Sequence, residues 1–253
     1  VAVSVLVLIV VAVDGLGGGT DGPGVVAATG SPTSEPNSNT AAGSPTTGPV
    51  KTALPPATSS PVLGNDNTPL VRCGELLAPL DKQHRLAQDC VPADLVTLPA
   101  SISTGGSQEL TRETANAMQE MFSAAKADGQ TFSVNSAYRS YQTQADTYLF
   151  WVRTSGQEYA DRTSALPGHS EHQLGTTADI CWNGVCLESF AGTPGANWLA
   201  NTSWKYGFIV SYPEGKELVT GYAPEEWHVR FVGKDTAKKV RDSGLTLHEY
   251  LLR

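Results

Sequence analysis

Two separated stretches of this chain carry side chains whose chemistry is complementary, and what the chain does depends on whether its fold brings them together. The first is Ser170-Glu171-His172-Gln173-Leu174-Gly175-Thr176-Thr177-Ala178-Asp179, and the second is Glu225-Glu226-Trp227-His228. Two histidines and a carboxylate (His172, Asp179 and His228) suit a catalytic zinc ion, Zn2+. They fill three corners of a tetrahedron and leave the fourth to water. Glu225, three residues before His228, stands where a general base for that water is expected. Gly175 permits a tight turn, so a loop residue and a strand residue converge on one ion. His228 arrives from a separate strand. Positions 225 and 228 fall on opposite faces of an ideal strand. The reading therefore requires a turn or bulge at Glu225, next to Pro224.

The rest of the chain limits how much of it folds. Val1 to Val13 is apolar except for Ser4. As a helix it would rise about 20 Å, short of a ~30 Å hydrocarbon core. Residues 1–16 are therefore expected to be a signal-peptide or anchor-like segment. Residues 17–69 hold nine of the sixteen prolines with abundant Ser, Thr and Gly and almost no charge. Such a stretch buries too little apolar surface to offset its ordering entropy, and is expected to be a disordered linker. Residues 70–253 are ample for one domain, with a catalytic core over about 105–245. The net charge of -8 and a pI of 5.1, with no basic run, exclude a phosphate-binding nucleic-acid protein. The protein is expected to be an exported monomer, extracellular or in the cell envelope, touching a membrane only through its N-terminal segment.

Four cysteines form two local pairs, Cys73 with Cys90 and Cys181 with Cys186. An even count in an exported protein reads as disulfides. Four buried thiols are the alternative; a four-cysteine zinc site fits less well, since neither pair is spaced CxxC. Periodicity predicts a helix over 110–128, with Thr114, Ala117, Met118, Met121, Phe122 and Ala125 inward and Gly129 as its stop. Strands are expected at 131–137, 177–182, 207–212 and 225–232. Further helices are expected from Ser140 to about Thr154, with Tyr148, Leu149, Phe150 and Trp151 as core contacts, and over 197–206 and 234–242. Residues 70–104 carry few periodic signals and are expected to wrap the domain. The mixture lacks a regular βαβ rhythm and reads as α+β.

The chemistry expected of such a site is metal-assisted hydrolysis of an amide, whose anionic intermediate needs a cation or strong donors. Arg139, in Ser136-Ala137-Tyr138-Arg139-Ser140, follows a strand and precedes a helix, where a fixed side chain points into a cleft. Ser-x-His-x-x-Gly with Asp seven residues after the His, the upstream Tyr-Arg-Ser and the downstream Glu-x-Trp-His resemble the VanY-type D-alanyl-D-alanine carboxypeptidases. These belong to the LAS zinc peptidases of bacterial cell walls. The resemblance covers roughly residues 105–245 and extends through His228-Val229-Arg230-Phe231-Val232-Gly233. It implies His172, Asp179 and His228 as zinc ligands, Glu225 as catalytic base and Arg139 as the group that holds the substrate carbonyl or oxyanion. It also implies Ser170 and Gln144 as peptide-binding positions, and a small domain with a central, largely antiparallel sheet flanked by helices. The chain departs from the family pattern at Thr177, where Ala is usual, and at Glu226, where Pro is frequent.

These observations anticipate a zinc carboxypeptidase that removes the terminal D-alanine of peptidoglycan stem peptides. One alternative is an L,D-carboxypeptidase or endopeptidase on the same polymer. The other is a non-catalytic zinc-bearing wall-binding module, which would have no need of Glu225 and Arg139. His84 and His248 lie in no motif and read as ordinary surface or core residues, and His169 reads as a loop or rim residue. Trp182 and Trp227 read as packing near the site.

Overall fold

The computed structural model describes residues 67–253. The apolar segment and all but the last three residues of the expected linker lie outside the described residues.

Strand β1 (Leu95–Thr97) and strand β2 (Glu109–Thr111) pair as a two-stranded antiparallel ribbon. Helix α1 (Arg112–Ala127) follows directly. Its six predicted inward residues are all buried, and Met118 and Met121 are fully enclosed. Each of these two methionine side chains contributes roughly 1.5–3 kcal/mol by leaving water. The helix begins two residues later than its periodicity suggests. Leu110 and Thr111 belong to β2 because β1 takes their backbone, a tertiary pairing that local spacing does not report.

The main sheet is antiparallel throughout. Strands β3 (Phe132–Ser136), β4 (Thr177–Trp182), β5 (Phe208–Tyr212) and β6 (Glu225–Phe231) lie in the order β3-β4-β6-β5. Phe132, Val134, Ala178, Ile180, Trp227, Val229 and Phe231 pack with α1 and helix α4 (Pro194–Thr202) in the principal core. Strand alternation sends Asp179, His228 and Arg230 to the other face. Trp182 donates to Gln130 Oε1 at 2.7 Å and covers Gly195, where a Cβ would lie 2.5 Å from the indole.

Helix α2 (Tyr141–Ser155) is capped by Ser140, whose hydroxyl accepts from the Thr143 N–H at 3.1 Å. Only Gln144, Ala145 and Tyr148 of α2 are buried. The expected core roles of Leu149, Phe150 and Trp151 are corrected: Leu149 and Trp151 are half-buried and Phe150 is exposed. The hairpin that α2 makes with helix α3 (Gln157–Thr163) covers one narrow face and leaves the aromatic flank outside. Short helices α5 (Glu217–Thr220), α6 (Lys234–Ser243) and α7 (Leu247–Leu251) complete the chain. Among the described residues no helix is long and apolar enough to cross a membrane.

Residues 70–104 do wrap the domain, and Cys73–Cys90 and Cys181–Cys186 are both bridged. The wrap grips the loop that follows α3. Leu86 N–H donates to Gly168 O at 2.8 Å, and Gln173 Nε2 donates to Ala87 O and Cys90 O at 2.9 and 3.2 Å. His169, expected at a rim, is buried, with Nδ1 2.6 Å from Asp81 O. The wrap itself covers it.

Gly175 ends the short turn Glu171–Leu174 in the left-handed region at φ 67°, and a Cβ there would meet Leu95 Cδ2 at 2.9 Å and Pro92 Cγ at 3.1 Å. Both the backbone geometry and the wrap require glycine at this position. Gly175→Ala is expected to cost about 1–3 kcal/mol. Chemical denaturation of the two proteins, read as a shift in midpoint at unchanged slope, checks this.

Candidate metal centre

The site is assembled from β4, β6, the turn before β4 and the segment after β3. Asp179 of β4 and His228 of β6 are directly paired across the ladder. His172 comes from the turn at Glu171–Leu174, which Ser170 caps by accepting from His172 N–H at 3.3 Å. Ligand atoms of His172, Asp179 and His228 lie within 4.8 Å of one another, and all three side chains are buried. The two imidazole rings are perpendicular, with centroids 5.1 Å apart.

Hydrogen bonds behind the rings fix which nitrogens face inward. His172 Nδ1 lies 2.7 Å from the Ala137 carbonyl, which can only accept, so Nδ1 carries the proton and Nε2 turns to Asp179 Oδ2 at 3.3 Å. His228 Nε2 lies 3.0 Å from Glu171 Oε2, and Nδ1 faces Asp179 Oδ1 at 3.2 Å. Tetrahedral ligands with bonds of about 2.1 Å stand roughly 3.4 Å apart, close to both spacings. Asp179 Oδ1 and His228 Nδ1 are also buried without a hydrogen-bond partner. Three carboxylates, Asp179, Glu171 and Glu225, and two guanidiniums, Arg139 and Arg230, surround these ligand atoms. Orphaned ligand atoms in a buried, carboxylate-rich place fit a divalent cation.

Glu225 reaches the metal side through a bulge. Val210 pairs with Val229 and Tyr212 with Glu225, so four steps along β6 oppose two along β5. Two extra residues in β6 bring Glu225 Oε2 to 3.3 Å from His228 Nδ1. The neighbouring carboxylate of Glu226 instead accepts from Gly192 N–H at 2.8 Å. A second bulge, between Val134 and Ser136, re-aims the chain toward Arg139. Arg139 Nη2 stands 3.8 Å from Asp179 Oδ2 and 3.1 Å from Ser136 Oγ, and Nη1 donates to Gln144 Oε1 at 2.9 Å. Gln144 is itself buried and donates through Nε2 to Ala165 O at 2.7 Å and Ser164 Oγ at 3.3 Å. Its amide is engaged in holding Arg139. Ser170 is likewise buried beneath His172.

Protonation follows from these contacts. Burial pushes the Glu225 carboxyl above its ordinary value against the pull of His228, and Asp179 adds to the rise. Burial, opposed by Asp179 and helped by Arg139, keeps the His172 imidazole neutral. Burial also works against a charged His228, but Asp179, Glu171 and Glu225 together hold its proton affinity well above normal.

Two residues of this site escaped the sequence reading. Glu171 accepts from Ser211 Oγ at 2.6 Å and from Arg230 Nη1 at 2.9 Å as well as contacting His228. Arg230 is wholly buried. The available signal was an arginine inside the otherwise apolar run Val229–Val232, since an interior charge requires a partner. Burial raises the Glu171 carboxyl, but Arg230 and His228 overcome it and bring it down to about 2 from an ordinary 4.5. A group depressed in the folded state stabilises above its unfolded pKa and loses that contribution as pH falls. Lowering the pH from about 4.5 to about 2 is therefore expected to remove on the order of 3 kcal/mol through Glu171. Acid titration of stability, with Glu171→Gln showing a shallower fall over that window, checks it.

Comparison with known proteins agrees with this geometry. Residues 107–234 match the family VanY, described as D-alanyl-D-alanine carboxypeptidase. YodJ of Bacillus subtilis (strain 168) is 39% identical over 181 residues, covering 69% of this chain and 66% of that protein. The chain thus spans a little under two thirds of that relative's length. The LdcB LD-carboxypeptidase structure superposes with a TM-score of 0.68 at 37% identity, covering 73% of this chain and 90% of that one. A point mutant of the vancomycin resistance D,D-pentapeptidase VanY from a VanB-type cassette, solved in complex with Zn(II), gives 0.60 at 31% identity over 70% and 98%. With the match running over just over half of the sequence, and both motifs inside it, this chain belongs to the VanY family of D-alanyl-D-alanine carboxypeptidases.

Proposed function

We propose that this protein is a zinc-dependent carboxypeptidase that removes the terminal D-alanine from peptidoglycan stem peptides. The observation that carries the reading is one buried cluster in which three ligand side chains, the Glu225 carboxylate and the Arg139 guanidinium converge. His172 Nε2, an Asp179 oxygen and His228 Nδ1 would hold the ion. Zinc, when bound, supplies a Lewis acid and a water acidic enough to ionise near neutral pH. Glu225 accepts the water proton and returns it to the leaving amine. Its burial raises its proton affinity, which suits a group that must first take and then give a proton. Arg139 faces the developing oxyanion, and Gln144 and Ser136 hold it in place beforehand, so little reorganisation accompanies the reaction. The two disulfides support an oxidising, exported setting where wall peptides are found.

A second reading, cleavage of the L,D bond one residue further in, is favoured by the better superposition on LdcB than on the zinc-bound VanY. Both bonds are tested together. The full chain, loaded with zinc, is incubated with a pentapeptide stem ending in D-Ala-D-Ala and with a tetrapeptide ending in one D-Ala. Mass spectrometry is expected to show one alanine lost from the pentapeptide, abolished by a chelator and restored by zinc. Cleavage of the tetrapeptide alone selects the L,D reading. Full zinc occupancy with neither peptide cleaved overturns the catalytic reading in favour of a binding module. Glu225→Ala is expected to retain zinc while kcat falls about 100- to 10,000-fold. Arg139→Ala is expected to lower kcat about 100- to 1,000-fold. Metal analysis and steady-state kinetics on the same samples check both.

A further inference from the structure

Behind His228 runs a chain of charge-assisted hydrogen bonds that the reaction itself does not use. The carbonyls of Leu76 and Ala78, in the N-terminal wrap, accept from Arg230 Nη2 at 3.0 and 2.7 Å. Arg230 Nη1 donates to Glu171 Oε1 at 2.9 Å. Glu171 Oε2 then faces Ser211 Oγ at 2.6 Å and His228 Nε2 at 3.0 Å. Guanidinium nitrogens only donate and an ionised carboxylate only accepts. The polarity of the whole chain is therefore fixed from the wrap inward, and its last link requires a proton on His228 Nε2. That leaves the Nδ1 lone pair for the ion.

We propose that Glu171 is a positioning residue that selects the metal-binding nitrogen of His228, and that Arg230, anchored on Leu76 and Ala78, fixes the polarity of Glu171. The inference rests on the metal-site reading above but not on which bond is cleaved. A carboxamide at 171 exposes the logic. Arg230 needs an acceptor, so the amide oxygen of Glu171→Gln stays toward Arg230 and the amide NH2 turns toward His228. An NH2 group needs a lone pair on Nε2, which drives the ring proton onto Nδ1, in the path of the ion. A near-isosteric change thus inverts the polarity of one hydrogen bond without opening a cavity.

The test uses the full chain with zinc alone as ligand. Competition with a chelator is expected to show zinc bound about 10- to 100-fold more weakly by Glu171→Gln than by the native protein. Nitrogen-detected NMR of the zinc-loaded native protein, which needs no variant, is expected to show the ion on His228 Nδ1 and a slowly exchanging proton on Nε2. A purely structural role for Glu171 would not dictate that assignment. The ion on Nε2, or zinc affinity in Glu171→Gln within threefold of native, would overturn the proposal. Native protein that binds zinc in the expected way yet cleaves no stem peptide would sink the carboxypeptidase reading and leave this one standing.

Discussion

Asp179 and His228 face each other across the ladder of β4 and β6, and that pairing is the constraint around which the site is built. Antiparallel strands place directly opposed side chains close together on one face, so two ligands are positioned by backbone hydrogen bonds rather than by loops. The reverse face of the same strands carries Ala178, Ile180, Val229 and Phe231 into the principal core. Slippage by one residue would exchange the two faces, burying the ligands in the core and exposing the core to the site. The register is thus held by apolar packing on one side and used chemically on the other.

Regular strands alone could not complete the cluster. Each of the other reactive groups arrives through a departure from regularity: the bulge in β6 for Glu225, the bulge in β3 for Arg139, and the left-handed Gly175 for His172. These irregularities survive because neighbouring contacts determine them. Gly175 lies against Pro92 and Leu95, and Arg139 N–H donates to the His172 carbonyl at 3.2 Å. The site is consequently a property of the folded domain as a whole, although its residues come from three short stretches.

Much of this was legible in the sequence. Thr177–Trp182 was readable as a strand, the α1 face was readable from its 3.6-residue period, and spacing alone required a distortion at Glu225. These features are local or follow from the geometry of a single strand. What could not be read depends on partners distant in sequence. The β1–β2 ribbon takes its residues from either side of an eleven-residue gap and trims α1 at its start. Phe150 sits on a helix whose periodicity does not say how wide a face its neighbours cover. Glu171 beside His172 looks like an ordinary polar position, and Arg230 in its apolar run signals only that some partner is needed. Their pairing, and the use of Leu76 and Ala78 as acceptors, exists only once the wrap is in place.

The wrap also bears on where the working unit begins. The recognisable family segment opens at residue 107, while the carbonyls that receive Arg230 lie at Leu76 and Ala78 and the Cys73–Cys90 bridge ties down the stretch that bears them. A fragment cut at the edge of the recognisable segment would keep every ligand and the base. It would also leave a wholly interior guanidinium with two of its acceptors gone. A transplanted motif segment would have to find, in its new host, an equivalent backbone to close the back of the site.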